Sequence, residues 1–229
     1  MRFFVRGVSV KIDFLFAACV TFLMSFNIND EIRYAILFSI LHEAGHLFAI
    51  VLCGEKPDTV RFGIFGMTII RKNDITQDYK KEFITAVSGP MMNFFLLFVF
   101  VLLYAFYRKD IFLKMAAINL IIGLFNIMPV FSLDGGRALE SLLLQKLPNE
   151  KCEKIITAVS VVFLVPMTFF GFYILIKSGY NFTFLAISIY LSVMLFIKNS
   201  KCKPPFIKQR LRLCFMLIFK FFDVFGTLL

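Results

Sequence analysis

The sequence predicts an all-α integral membrane protein of about six transmembrane helices. Three observations carry that prediction. Of the 229 residues 59% are hydrophobic and only 17% charged, where a soluble domain carries about a quarter. Mean hydropathy is +0.82, with the apolar residues gathered into runs of near-bilayer length. Basic residues concentrate in alternate connecting segments, as they do in membrane proteins. The net charge of +10 follows from that placement, so the expected partner is a lipid bilayer and not nucleic acid. The five cysteines are odd in number and form no C-x-x-C pair, which argues against a disulfide framework or a thiolate zinc site.

In chain order, Arg2, Arg6 and Lys11 precede an apolar run from Phe14 to Ile28. No small-x-small cleavage site follows it, so it reads as an uncleaved first helix and not as a signal peptide. The second span is Tyr34 to Cys53. The polar stretch Gly54 to Glu82 comes next, and within it Val60 to Ile70 partly alternates around Gly63 and Gly66. That pattern predicts a short β-hairpin or loop at the membrane surface. The third span, Phe83 to Tyr107, carries Ser88-Gly89-Pro90, where proline marks a kink or a helix start. The fourth, Met115 to Leu133, is interrupted by Asp134-Gly135-Gly136-Arg137, and a helical pattern resumes from Ala138 to Leu147. Spans five and six run from Ile155 to Ile176 and from Ser178 to Ile197, with a turn near Gly179. Pro166 is expected as a structural kink. Basic residues between Lys198 and Arg212 then lead into an apolar tail broken by Lys220 and Asp223, which fits an interfacial helix better than a seventh span. The expected division is a six-span domain over residues 1–200 and an interfacial tail over 201–229.

Charge sets the orientation. The N-terminus, the Gly54–Glu82 segment, Arg137 to Lys154 and the tail after Ile197 hold 3, 6, 4 and 7 of the 25 Lys and Arg. Only Arg33, Arg108, Lys109, Lys114 and Lys177 are left for the other face. Both termini are therefore expected in the cytoplasm. The second span runs inward, which places His46 about 10 Å from its cytoplasmic end at ~1.5 Å per residue.

Within that span lies His42-Glu43-Ala44-Gly45-His46, which contains both histidines of the protein. Four residues apart on a helix, the two imidazoles share a face and can converge on a metal. Glu43 stands where a carboxylate can take a proton from water at that metal. Ionisable groups at membrane depth are costly and usually functional. Catalytic zinc takes three protein ligands, so a third donor is required, and no histidine remains. Asp134 is a candidate; from local sequence it reads equally well as the N-cap of the helix that follows.

The His42–His46 motif, Asn126-Ile127-Met128-Pro129 and Leu133-Asp134-Gly135-Gly136-Arg137 together resemble the site-2 protease family of intramembrane zinc metalloproteases. Ser88-Gly89-Pro90-Met91-Met92-Asn93 matches a further family pattern between them, and the resemblance covers roughly residues 10–200. It implies zinc (Zn2+) held by His42, His46 and Asp134, Glu43 as general base, and Asn126 in contact with the substrate backbone; Asn93 is a second substrate-binding candidate. Ser88 and Ser132 are expected to serve helix–helix hydrogen bonding. The compact layout is similar to the stage IV sporulation protease branch, whose members cleave a membrane-associated pro-sigma factor and often carry a C-terminal CBS domain. Neither a CBS nor a PDZ domain is expected in this chain. The implied partners are a transmembrane or membrane-associated protein substrate and regulatory membrane proteins. The competing class is a non-proteolytic metal-binding membrane protein used for transport or sensing. It is disfavoured because carboxylates at membrane depth number only Glu43 and Asp134 and no internal repeat is evident.

Overall fold

A computed structural model describes residues 2–5, 8–14, 18, 21, 30–54, 57–63, 66–71, 78–179 and 182–199. Most of the expected first span, the whole tail after Asn199, and Ile64 and Phe65 lie outside the described residues. Four strands and six helices follow in the order β1 (Arg2–Val5), β2 (Val8–Ile12), α1 (Asp30–Leu52), β3 (Pro57–Gly63), β4 (Gly66–Arg71), α2 (Tyr79–Tyr107), α3 (Asp110–Ile127), α4 (Asp134–Leu144), α5 (Asn149–Ser178) and α6 (Thr183–Asn199).

Among the described residues four helices, α1, α2, α3 and α5, are long and apolar enough to cross a membrane, and α6 contains a shorter apolar stretch, Phe184–Lys198. Their outward faces are apolar: Phe95, Phe98, Phe169 and Phe196 are all more than half exposed. The interior instead holds His42, His46, Asn93, Asn119, Asn126, Asp134 and Ser160, each no more than 5% exposed. Polar groups inside and bulky apolar groups outside is the pattern of a protein whose solvent is lipid. The chain is a membrane protein.

Helix α1 is the most enclosed of the candidate spans and packs against α2 and α3. Ile32, Ala35, Ile36 and Phe38 on α1 meet Ile118 and Ile122 on α3 in one apolar cluster. A second cluster joins Val130 and Leu133 to Leu164 and Met167 of α5 and Leu191 and Leu195 of α6. Glycine lets α5 and α6 approach closely, since a Cβ at Gly171 would lie 2.9 Å from the Cα of Leu185. Gly179 ends α5 in the left-handed region (φ 75°), its N–H donating to Leu175 O at 2.9 Å. Pro90 and Pro166 both sit inside continuous helices, so neither starts one.

Two ion pairs tie helix ends together. At the start of α1, Glu31 accepts from Lys114 of α3 at 2.7 Å. Beside the start of α4, Arg137 donates to Glu82 of α2 at 2.9 Å.

The described residues include a four-stranded sheet in the order β1-β2-β3-β4; β3 and β4 fall where the sequence suggested a hairpin or loop, and β1 and β2 go beyond the expected all-α fold. β3 and β4 are antiparallel, from Pro57 opposite Arg71 to Gly63 opposite Gly66. β1 and β2 pair antiparallel, and β2 runs parallel to β3 with Val10 opposite Val60. The parallel step needs a long crossover, and α1 lies within it. Val8, Val10 and Ile12 alternate with Ser9 and Lys11, a period-two signal too short to outweigh the basic N-terminal reading.

Candidate metal centre

Helix α1 carries His42 and His46 one turn apart on its buried face, 4% and 0% exposed. Their rings meet edge to face with centroids 4.9 Å apart, and their Nε2 atoms lie 3.2 Å from one another. Asp134 Oδ2 stands 2.9 Å from His42 Nε2 and 3.1 Å from His46 Nε2. Sequence left Asp134 divided between ligand and helix cap. The structure puts the N-cap of α4 at Leu133 and Asp134 in the first turn, its carboxylate turned to the histidines. Glu43, adjacent to His42 on α1, is also buried, at 8% exposure.

Asp134 reaches this position because two glycines follow it. A Cβ at Gly135 would run into the backbone carbonyl of Ile127, and one at Gly136 into that of Val130. Only a chain without side chains there can lay the first turn of α4 against the segment leaving α3. That segment turns sharply at Pro129: Met128 before it is extended (φ −59°, ψ 135°), as the residue preceding proline must be. Arg137 stands 3.7 Å from Asp134 Oδ1 and is itself held by Glu82.

The outer nitrogens of both rings are engaged. His46 Nδ1 lies 2.6 Å from the backbone oxygen of Thr85 on α2, and His42 Nδ1 lies 2.6 Å from Asn93 Oδ1. Both contacts turn the Nε2 atoms toward Asp134, the orientation that metal-ligating histidines adopt. Gly89 leaves the space between them open. A Cβ there would sit 2.6 Å from His42 Nε2 and closer still to His46 Nε2. Tetrahedral zinc with bonds of ~2.0–2.1 Å separates its ligands by about 3.3 Å. The observed separations of 2.9, 3.1 and 3.2 Å are close to that, so the donor set fits zinc in size and chemistry. His42, His46 and Asp134 form a buried group able to hold a metal ion.

The remaining sequence candidates fall nearby with different partners. Asn93 is fully buried: its oxygen faces His42 and its amide donates to Asn119 Oδ1 at 3.2 Å, so it braces a ring of the site. Asn126 is 2% exposed and donates to Ile122 O within α3 at 2.9 Å. Ser88 Oγ donates within its own helix to Thr85 O at 2.7 Å and also lies 3.5 Å from His46 Nδ1 of α1, a contact between helices of the kind expected. Ser132 Oγ, also expected to bond between helices, is buried with no hydrogen-bond partner. Sequence reading missed Thr85, Gly89 as the space-maker, and Asn119. The available signal for Asn119 was its rarity as an amide inside an apolar run.

The fold and site thus define a membrane protein with a buried His–His–Asp group able to hold a metal ion. The model of Peptidase family M50 matches residues 109–167, the segment that carries Asn126 and Asp134. A zinc metalloprotease of Methanocaldococcus jannaschii is 25% identical over 185 residues, covering 74% of this chain and 52% of that protein. Stage IV sporulation protein FB of Bacillus subtilis is 26% identical over 160 residues, covering 68% and 56%. The chain thus spans about half the length of the curated relatives it matches. Among solved structures, a site-2 protease from Methanocaldococcus jannaschii superposes with a TM-score of 0.59 at 20% identity, covering 89% of this chain and 97% of that one, and so shares the fold. The resemblance to the site-2 proteases stands, and zinc is the metal implied by both relatives and donor set.

Proposed function

We propose that this protein is an intramembrane zinc metalloprotease that hydrolyses a peptide bond of a membrane-embedded or membrane-tethered protein near the cytoplasmic face. The observation that carries the reading is the convergence of His42, His46 and Asp134 within a membrane helix bundle, with Glu43 adjacent on α1. In this reading the two imidazoles and the Asp134 carboxylate hold zinc. Zinc, when bound, polarises a carbonyl and acidifies water at neutral pH. The Glu43 carboxylate accepts the proton of the attacking water and returns it to the leaving amine. The Asn126 amide, one N–H of which is held by Ile122 O, would contact the substrate backbone.

The six-span layout with both termini cytoplasmic belongs to this proposal. It is supported by the basic residues on the expected inner side and by the Glu31–Lys114 pair at the opposite helix ends. Substrate entry by strand addition is supported by β4, which lies at an edge of the sheet. Proline at Met67 on that strand should then lower cleavage, and unchanged cleavage would remove the sheet from the mechanism. The substrate class is a membrane-associated regulatory protein, such as the pro-sigma factor that the resemblance to the stage IV sporulation protease branch implies.

The decisive experiment co-expresses the protein with membrane-tethered substrates and compares wild type with Glu43→Gln. Cleavage should fall by at least about 100-fold, the scale of one general acid–base group, with zinc content unchanged. A Glu43→Gln protein that still cleaves at the wild-type rate sinks the proposal.

A further inference from the structure

The geometry points to Asn119 as a positioning residue that sets, through Asn93, which ring nitrogen of His42 carries a proton. The inference rests on the proposed role of His42 as a zinc ligand. It begins from an atom that can only accept. Met115 O takes a hydrogen bond from Asn119 Nδ2 at 2.9 Å, so the amide of Asn119 turns its oxygen away from Met115. That oxygen accepts from Asn93 Nδ2 at 3.2 Å, which turns the oxygen of Asn93 in its own direction, toward His42. Asn93 Oδ1 then lies 2.6 Å from His42 Nδ1 and can be satisfied only by an N–H there. A protonated Nδ1 leaves the lone pair on Nε2, the nitrogen that faces Asp134 and His46.

Flipping the amides reverses every step. Asn119 Oδ1 would face Met115 O, and the NH2 of Asn93 would demand a lone pair from Nδ1, moving the ring proton to Nε2 and away from metal-binding form. Asn93 and Asn119 are both fully buried and His42 is 4% exposed, so bulk water cannot compensate the mismatch. The two ligands differ in this respect. His46 Nδ1 meets a backbone oxygen directly, at Thr85, and needs no relay. His42 has its orientation fixed from Asn119 on α3, two side chains away.

The competing role for Asn119 is helix–helix adhesion between α2 and α3. Full-length protein labelled with 15N-histidine separates the two, because the chain holds only two imidazoles. In metal-free wild type, His42 Nδ1 is expected to carry a proton. In Asn119→Leu a fraction of His42 should lose it, and zinc affinity by chelator competition should fall about tenfold, the low end for outer-shell partners. Asn93→Asp added to Asn119→Leu should restore zinc affinity, since a carboxylate has no donor face to present. If Asn119→Leu does not fold, Asn119→Ala carries the same expectations. Lower stability with unchanged His42 ring shifts and unchanged zinc affinity would overturn the relay. A wild-type protein that takes up no zinc would overturn the metal reading instead, and the ring signals of metal-free protein would still decide the relay.

Discussion

Replacing Gly89 by alanine should remove zinc from a protein that still folds. The added Cβ would lie 2.6 Å from His42 Nε2, whereas ordinary contact begins at 3.4 Å, so the ring must retreat by about 0.8 Å, the difference of the two. Zinc sites tolerate departures of only about 0.2 Å in ligand distance. The same methyl crowds His46 Nε2 more severely, so two of the three ligands are displaced together. Affinity should therefore fall by at least about 100-fold, the upper end for losing a single outer-shell support. Stability moves far less. Alanine gains about 1 kcal/mol over glycine within a helix, and overpacking costs about 1–3 kcal/mol, which leaves a net loss of at most about 2 kcal/mol. The assay is zinc content and chelator competition on purified protein, with the thermal midpoint measured alongside. Gly89→Ala protein that binds zinc with wild-type affinity would refute the placement of the metal between the two imidazoles. Unfolding without zinc loss in the folded fraction would do the same.

Two further outcomes follow from the geometry. Asp134→Asn should lose zinc while α4 keeps its helicity by circular dichroism, because the cap position belongs to Leu133; loss of helix with zinc retained would restore the capping role. Gly136→Ala should destabilise by more than a surface substitution, roughly 1–3 kcal/mol, because its Cβ meets backbone at Val130 that cannot rotate away; a thermal midpoint equal to wild type would show that α4 can shift at no cost.

Part of this architecture is written locally. The membrane setting follows from apolar runs, because lipid contact constrains every outward residue of a span and so imposes its composition. The pairing of His42 with His46 follows from helical spacing alone, and the structure places them as that spacing requires, 3.2 Å apart at Nε2. The β2–β3 step was not legible. Parallel pairing of Val10 with Val60 joins segments separated by a whole helix, and short strands carry little periodic signal of their own. Asn93 was visible within a motif, yet its partner His42 was not, since the contact crosses from α2 to α1. Asn119 belonged to no motif at all, and its direction comes from a backbone carbonyl one turn earlier on α3.

Asp134 marks the boundary between the two kinds of information. By itself the sequence determined that a bundle of membrane helices holds His42, Glu43 and His46 on one element, because those relations depend on spacing within a helix. It also left carboxylates at membrane depth as the candidates for a third ligand, because no histidine remains and the cysteines show no zinc-site pattern. Only the tertiary structure brings the Asp134 carboxylate to the two imidazoles, leaves the space beside Gly89 open, and lines up Asn119 and Asn93 behind His42. Each depends on which atoms face one another across different helices, and a distance between helices is not encoded by the residues of either one alone.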